Sequence, residues 1–546
     1  MTAKKKPNIL VLVTDQQRAD TIGALGNPII KTPALDSLVE SGVAFTRAYT
    51  PAPICSPARV SMATGIPPHE HRFTDHDWFH WEPEEGPPSP APHDSAFMEK
   101  AHDDGYQTIM VGKLHHSGRP WLLDGVEEYA GGKEPISKKT KVLQTYSEYC
   151  DAKGYPAWLP PNAGVGSEYY MIPQATPYPE EESRPHWMAD QCIDFLNRRD
   201  KDRPFLMHCH FIGPHPPISN PMPWALLYRA NEMEAPHRPE NYKDYQSRTN
   251  RYQLRYKGRD TSQEDDTGYR AIRAAYYASI SLIDYNIGRI LDALGDEREN
   301  TLILFTTDHG DLMGDYGCVG KRCMLEGAIR IPMLLTLPGR VPAGKRCDTA
   351  VSLMDMYPTI MDALGLEDSR SDEGRSMIAI ANEEQDEKNR RIVFSQFSSG
   401  WCGQYGATDG KWKYAYSAPD DKEWLFRLSD SEAEGPNLID DPAPEAQAAK
   451  ERLKTALMRR HDPSVDPFSN AVENGDWKKH EAPPETYLEN PTYGMLFQER
   501  GPEELQAAIN ALGAGYAKNV LNREYKNNNL HRDHAVCEGV MPFAEK

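Results

Sequence analysis

Residues 8–17 read NILVLVTDQQ, an unbroken apolar run from Ile9 to Val13 that ends in a threonine, an acid and two amides. Such a run has no face to offer water. It therefore reads as a parallel strand covered on both sides, not as the alternating strand of a half-exposed sheet. A helix is expected next, over Thr32 to Ser41, opened by Thr32-Pro33. Comparable runs recur at Thr108–Val111, Pro204–Phe211, Thr301–Thr306 and Met333–Leu337, the last closing on Pro338-Gly339. Between the Pro204 and Thr301 runs, RAAYYASISLIDYNIGRILDALGD carries apolar residues at helical spacing. Strands alternating with helices predict an α/β fold: a mostly parallel central sheet with helices on both faces.

The lysines before Ile9 give the N-terminus the look of a signal peptide, but the apolar run is too short and stops at Asp15. No segment approaches the roughly 18 apolar residues of a membrane span. A cytoplasmic protein without membrane attachment is expected. The 546 residues leave room for roughly two to four domains. With 61 Lys+Arg against 81 Asp+Glu, the formal charge of -20 disfavours nucleic acid and anionic membranes as partners. Nine cysteines without short regular spacings predict reduced thiols, not a disulfide framework or a zinc cluster.

Ser117 to Pro185, rich in Pro, Gly, Glu and Tyr, reads as insertions over the functional face. From Val393 the pattern shifts to the short aromatic alternations GKWKYAYS and EWLFRLSD, which predict an antiparallel hairpin. A helix over Pro444 to Arg460 follows, then a Pro- and Asn-rich tail. The expected division is a catalytic α/β domain over 1–392, an antiparallel sheet and helix over 393–465, and an extension over 466–546 suited to contact in a homo-oligomer.

Ligands of α/β sheets bind beyond the strand ends, so the polar residues there are weighed first. Asp15-Gln16 and Asp308-His309 each pair a hard oxygen ligand with an amide or imidazole, a set suited to calcium, magnesium or manganese. The alternative for each Asp alone is a helix or turn cap. GKLHH places Lys113 and His115 two apart, on one side of an extended chain. FIGPHPP holds His215 between prolines, and GKR supplies Lys321. Each of these last stretches is by itself compatible with an ordinary surface loop. Together they make a cationic, metal-assisted pocket for an anion on an acidic protein.

The run Cys55-Ser56-Pro57-Ala58-Arg59 has the form C-x-P-x-R, the sulfatase signature. With PNILVLVTDQQ, GKLHH, FIGPHPP, TDHGDLMGD, GKRCMLEGAIRIPMLL and ATDGKWKYAY in this order, the chain resembles the type I sulfatases of the alkaline phosphatase superfamily over most of residues 7 to 440. The resemblance implies oxidation of Cys55 to formylglycine by a formylglycine-generating enzyme. It also implies a nucleophilic hydrate stabilised by Arg59, and a covalent hemisulfate on the way from an organic sulfate monoester to alcohol and sulfate. Asp15, Gln16, Asp308 and His309, with the oxidised Cys55, would bind one divalent cation, calcium first and manganese or magnesium as competitors. Lys113 and Lys321 would hold sulfate oxygens, His215 and Lys321 would protonate the leaving alcohol, and His115 would be the base that expels sulfate.

Gln16 and His309 depart from the Asp and Asn that many sulfatases carry, and are similar to choline-sulfatase-like and phosphonate monoester hydrolase-like branches. The Lys113–His115 pair favours the sulfate ester side. A phosphonate monoester or phosphodiester hydrolase is the alternative, promiscuous phosphoesterase activity is expected, and an inactive anion-binding protein is more remote. His76 stands where relatives often have Asn, a position that reads either as the pocket rim or as an ordinary surface loop.

Overall fold

The computed structural model describes residues 6–75, 96–115, 120–131, 139–155, 171, 173–255, 265–367, 370–383, 390–428, 433–466 and 471–480. His76 and most of the C-terminal extension lie outside the described residues.

The opening run forms β1 (Asn8–Asp15), buried along its whole length. Its alternate side chains enter two separate cores: Ile9, Val11 and Val13 one, Leu10 and Leu12 the other. Covering on both faces is thus literal, and it explains why no polar residue interrupts the run. In chain order the other elements that place the site are α1 (Pro33–Ser41), β2 (Val43–Phe45), α2 (Cys55–Thr64), β3 (Gln107–Gly112), β4 (Glu128–Gly131), β5 (Lys141–Val142) and α3 (Arg184–Arg198). Then come β6 (Phe205–Pro214), α4 (Asp266–Leu294), β7 (Thr301–Thr307), β8 (Met333–Thr336) and β9 (Lys345–Cys347). They build a nine-stranded sheet in the order β9-β2-β8-β7-β1-β6-β3-β4-β5. Helices α1 and α3 with the second half of α4 cover the Leu10 face, and α2 lies on the Val11 face.

Two expectations change. β8 runs antiparallel to both neighbours, β7 and β2. A four-residue strand buried on both sides looks the same in either direction, so its sequence could not show this. The Ser117–Pro185 region is not wholly insertion: it contains β4 and β5, which extend the sheet in parallel beyond β3.

The expected hairpin is part of a four-stranded antiparallel sheet, β10 (Val393–Phe397), β11 (Gln404–Thr408), β12 (Trp412–Ser417) and β13 (Lys422–Arg427). Helix α5 (Pro444–Arg460) packs Leu453 and Leu457 against its Tyr405, Tyr414 and Tyr416. A fully buried ion network joins this sheet to the segment after β7. Lys413 Nζ, on β12, donates to Glu326 at 2.9 Å and to Glu434 at 2.5 Å, and Tyr316 Oη donates to Glu434 at 2.6 Å. Burial opposes charge on both partners, yet Glu326 holds the Lys413 ammonium above its ordinary range and Lys413 holds Glu326 below its own. Lys413→Met would strand two carboxylates in the interior. It is expected to cost about 3–5 kcal/mol, read as a lowered thermal unfolding midpoint; an unchanged midpoint would show that the network contributes nothing net.

Candidate active site

β1 and β7 are parallel neighbours in a register that pairs Thr14 with Thr307. Asp15 and Asp308 therefore leave the sheet side by side. The chain turns sharply at Gln16, whose φ of 67° lies in the left-handed region, and the Gln16 N–H donates to Asp308 Oδ1 at 3.1 Å. Asp308 does some of the capping expected of a strand-end carboxylate, accepting from the N–H of Gln16 and of His309, whereas the carboxylate contacts of Asp15 are to side chains, and both acids face a common centre.

Helix α2 begins at Cys55. Arg59 stands one turn on, at the i+4 spacing that puts two side chains on one helical face. Its guanidinium donates from Nη2 to Asp15 at 2.7 Å and to Asp308 at 2.9 Å, and from Nε to Asp308 at 3.1 Å. Through Nη1 it also reaches the carbonyls of Lys113 and Leu114, both at 3.2 Å. Arg59 is thus a clamp joining three strand ends to the helix that carries Cys55.

Around Cys55 Sγ lie Lys321 Nζ at 3.0 Å, His309 Nε2 at 3.2 Å and Asp15 Oδ1 at 3.8 Å. Lys321 Nζ also meets Gln16 Oε1 at 2.8 Å and His309 Nε2 at 3.0 Å. Burial would raise the Cys55 thiol, but Lys321, Lys113 and His309 outweigh it and hold the thiol well below its ordinary range. The Sγ position therefore stabilises negative charge, the property that an attacking oxygen at that place would need. Burial and Cys55 push the Asp15 carboxyl upward, and Lys113, His215 and Arg59 reverse this, keeping it ionised. Lys113 Nζ donates directly to Asp15 Oδ2.

The histidines take distinct roles from their tautomers. His309 Nδ1 lies 3.0 Å from the Gly310 carbonyl, an atom that can only accept, so the proton sits on Nδ1 and Nε2 turns a lone pair to the centre. Gly310 is required: a Cβ there would stand 2.1 Å from the Gly327 carbonyl. His215 Nδ1 lies 2.6 Å from the Pro216 carbonyl and is protonated by the same logic. Burial pushes its pKa down to about 3, so the ring is neutral near pH 7. Burial likewise lowers His115 and leaves it in the form able to take a proton.

The structure brings together the residues singled out from sequence: Asp15, Gln16, Cys55, Arg59, Lys113, His115, His215, Asp308, His309 and Lys321. One local expectation fails. The chain does not stay extended from Lys113 to His115, because His115 has a φ of 49°. Asp311 was missed. Its Oδ2 accepts from Gln16 Nε2, and its Oδ1 accepts the backbone N–H groups of Met313 and Gly320, each at 2.8 Å. A carboxylate on the amide nitrogen forces the amide oxygen inward, and the short polar run DHGD was the only available signal.

Candidate ligand atoms of Asp15, Cys55, Asp308 and His309 lie within 4.8 Å of one another. With the inward Gln16 oxygen they form a mainly hard donor set, one that fits a divalent cation. Carboxylate exchange tests this: Asp308→Asn is expected to lower bound metal measured by elemental analysis at least tenfold, and unchanged metal would remove Asp308 from the ligand set.

A mostly parallel sheet whose strand ends converge on buried acids, cations and one buried thiol has an alkaline phosphatase-like fold and suits a hydrolase of tetrahedral oxyanion esters. The sulfatase family profile matches residues 7–366, and the profile described as N-sulphoglucosamine sulphohydrolase, C-terminal, matches residues 314–462. The chain belongs to the sulfatase family and is a sulfuric ester hydrolase. It is similar to the arylsulfatase of Clostridium perfringens, 29% identical over 476 residues that span 82% of this chain and 92% of that one. The choline-sulfatase of Rhizobium meliloti is 28% identical over 503 residues, spanning 87% and 91% of the two chains. The phosphonate monoester hydrolase of Agrobacterium radiobacter shares the fold, with a TM-score of 0.68 and 24% identity over 87% of this chain and all of that one.

Proposed function

We propose that the chain hydrolyses an aryl or alkyl sulfate monoester to alcohol and sulfate at Cys55, after a formylglycine-generating enzyme has oxidised that residue. The observation that carries this reading is the convergence of Lys321, His309 and the Arg59-clamped acids on Cys55 Sγ. Oxidised and hydrated, Cys55 supplies one hydroxyl to attack sulfur and a second from which sulfate can be expelled. A cation held by Asp15, Gln16, Asp308 and His309 supplies Lewis-acid polarisation of the ester oxygens; calcium, manganese and magnesium all suit this donor set.

Lys113 and Lys321 bring two ammonium groups to one side of the nucleophile, where charge grows on the departing sulfuryl oxygens. Lys321, 3.0 Å from Cys55 Sγ, delivers the proton to the leaving oxygen, since burial keeps His215 neutral near pH 7 and its Nδ1 proton stays on Pro216. His215 then orients the ester. Neutral His115 takes the proton whose removal releases sulfate.

Among the described residues no helix is long and apolar enough to cross a membrane, and the eight described cysteines are all free thiols. Free thiols support a reducing compartment, and a cytoplasmic enzyme acting on imported esters is our reading. A homo-oligomer joined through the C-terminal extension is part of the same proposal.

Mass spectrometry of the tryptic peptide Ala48–Arg59, from protein made with the generating enzyme, is expected to show aldehyde or hydrate at Cys55. The same protein should hydrolyse an aryl sulfate faster than the matched aryl phosphonate. Modified protein with the opposite preference would overturn the sulfate assignment in favour of phosphonate ester hydrolysis.

A further inference from the structure

Arg322 follows Lys321 directly and is 7% exposed. Its neighbours in chain and space tie it to the reaction centre. Its N–H donates to the carbonyl of Pro53, two residues before Cys55, at 3.0 Å. Its carbonyl accepts from Gln404 Nε2, on β11, at 3.0 Å. Between these two anchors the backbone sits at a φ of 69°, a left-handed region that non-glycine residues seldom adopt and that stores strain. Such strain is kept where surrounding structure imposes it, and here that structure is the Cys55 segment on one side and the C-terminal sheet on the other.

The guanidinium at the end of this side chain has no acceptor among the described residues. Its Nε is buried without a hydrogen bond. Four buried arginines show the usual arrangement, a carboxylate against the guanidinium: Arg18 with Asp20 and Asp315, Arg59 with Asp15 and Asp308, Arg273 with Asp315 and Glu234, and Arg460 with Glu373. A guanidinium stays charged at any working pH, and burying it without a counter-charge is costly. In a chain with 81 acidic residues, a missing partner on the residue next to Lys321, whose Nζ touches Cys55 Sγ, is explained by one that arrives with the substrate.

We propose that Arg322 binds a second oxyanion, a carboxylate or a further sulfate, on the alcohol portion of the substrate. The inference rests on the sulfate ester reading and deepens it: the preferred substrate carries at least two negative charges. The fork of the guanidinium matches either group by two parallel N–H···O bonds, and Lys321 next to it leaves the scissile sulfate to its own cation. Arg322 is then a specificity residue; it takes no part in bond breaking.

The test uses the full chain with Cys55→Ala, which cannot turn over. Its affinities are measured by calorimetry for the 3- and 4-carboxyphenyl sulfates, the corresponding phenylene bis-sulfates, and the carbamoylphenyl sulfates, which carry the sulfate charge alone. A second oxyanion is expected to tighten binding about tenfold or more over the carboxamide. Adding Arg322→Gln should erase that ratio, and Arg322→Lys should restore part of it. The carboxylate and bis-sulfate arms identify which oxyanion the site takes. Equal affinity for esters with one and with two negative charges, or a ratio that survives Arg322→Gln, overturns the proposal while leaving the esterase reading intact. A ratio lost in Arg322→Gln, with no hydrolysis by the matured wild-type enzyme, supports it and overturns the esterase reading. Failure of every ester to bind overturns both.

Discussion

Replacing Cys55 by alanine is expected to lower kcat on an aryl sulfate by about five to six orders of magnitude, the scale seen when a covalent nucleophile is removed. The chain should still fold. Cys55 opens helix α2, with the left-handed Gly65 cap at the other end intact, and removing one sulfur from a buried side chain costs about 1 kcal/mol. The clamp from Arg59 to Asp15 and Asp308 does not involve the thiol, and the donors of Asp15, Gln16, Asp308 and His309 remain, so metal content should fall much less than in Asp308→Asn. That combination, near-total loss of turnover with folding and metal retained, separates a nucleophile from a structural cysteine. Cys55→Ser is the sharper companion. It restores an oxygen but only one, so any sulfated serine must wait for water, and at most about one turnover per site is expected. Steady turnover by the alanine variant would sink the assignment.

The strand ends were legible because burial on both faces leaves no polar residue inside β1 or β7; the first polar side chains, Asp15 and Asp308, mark where each strand leaves the sheet. Register then does what no sequence pattern encodes. Thr14 opposite Thr307 makes the two acids neighbours across a gap of nearly three hundred residues. Other features depend on partners distant in sequence and leave no local period. The direction of β8 is set by its pairing with β7 and β2. β4 is only four residues long, too short to outweigh the glycines and prolines around it. The inward turn of the Gln16 amide depends on Asp311, and the left-handed turn at His115 undoes the simple inference from two-residue spacing. The charge of His215 was equally hidden. Prolines on either side were visible, but the burial that keeps the ring neutral belongs to the folded state.

That neutrality makes the second large effect asymmetric. If Lys321 is both a counter-charge to the sulfuryl group and the donor to the leaving oxygen, Lys321→Ala removes two contributions, each typically worth 10²–10⁴-fold. Their relative weight depends on the leaving group. A phenol activated by a nitro group departs as an anion with little help, so its loss should be about 10²–10³-fold, the electrostatic part alone. An alkyl alcohol cannot depart unprotonated, and the loss on an alkyl sulfate should reach about 10⁵-fold. A plot of log kcat/KM against leaving-group pKa should therefore steepen in the variant.

Lys113→Ala is the control. Its ammonium lies against Asp15 and within the same field, but nothing assigns it a proton to deliver, so its loss, about 10²–10³-fold, should be the same for both esters. Lys321 contacts Gln16, Cys55 and His309 together, so metal content of both variants has to be measured alongside to exclude a collapsed cation site. Parallel slopes for wild type and Lys321→Ala would return the acid role to His215, whose proton would then have to come from a substrate-bound state in which added negative charge lifts its pKa well above 3.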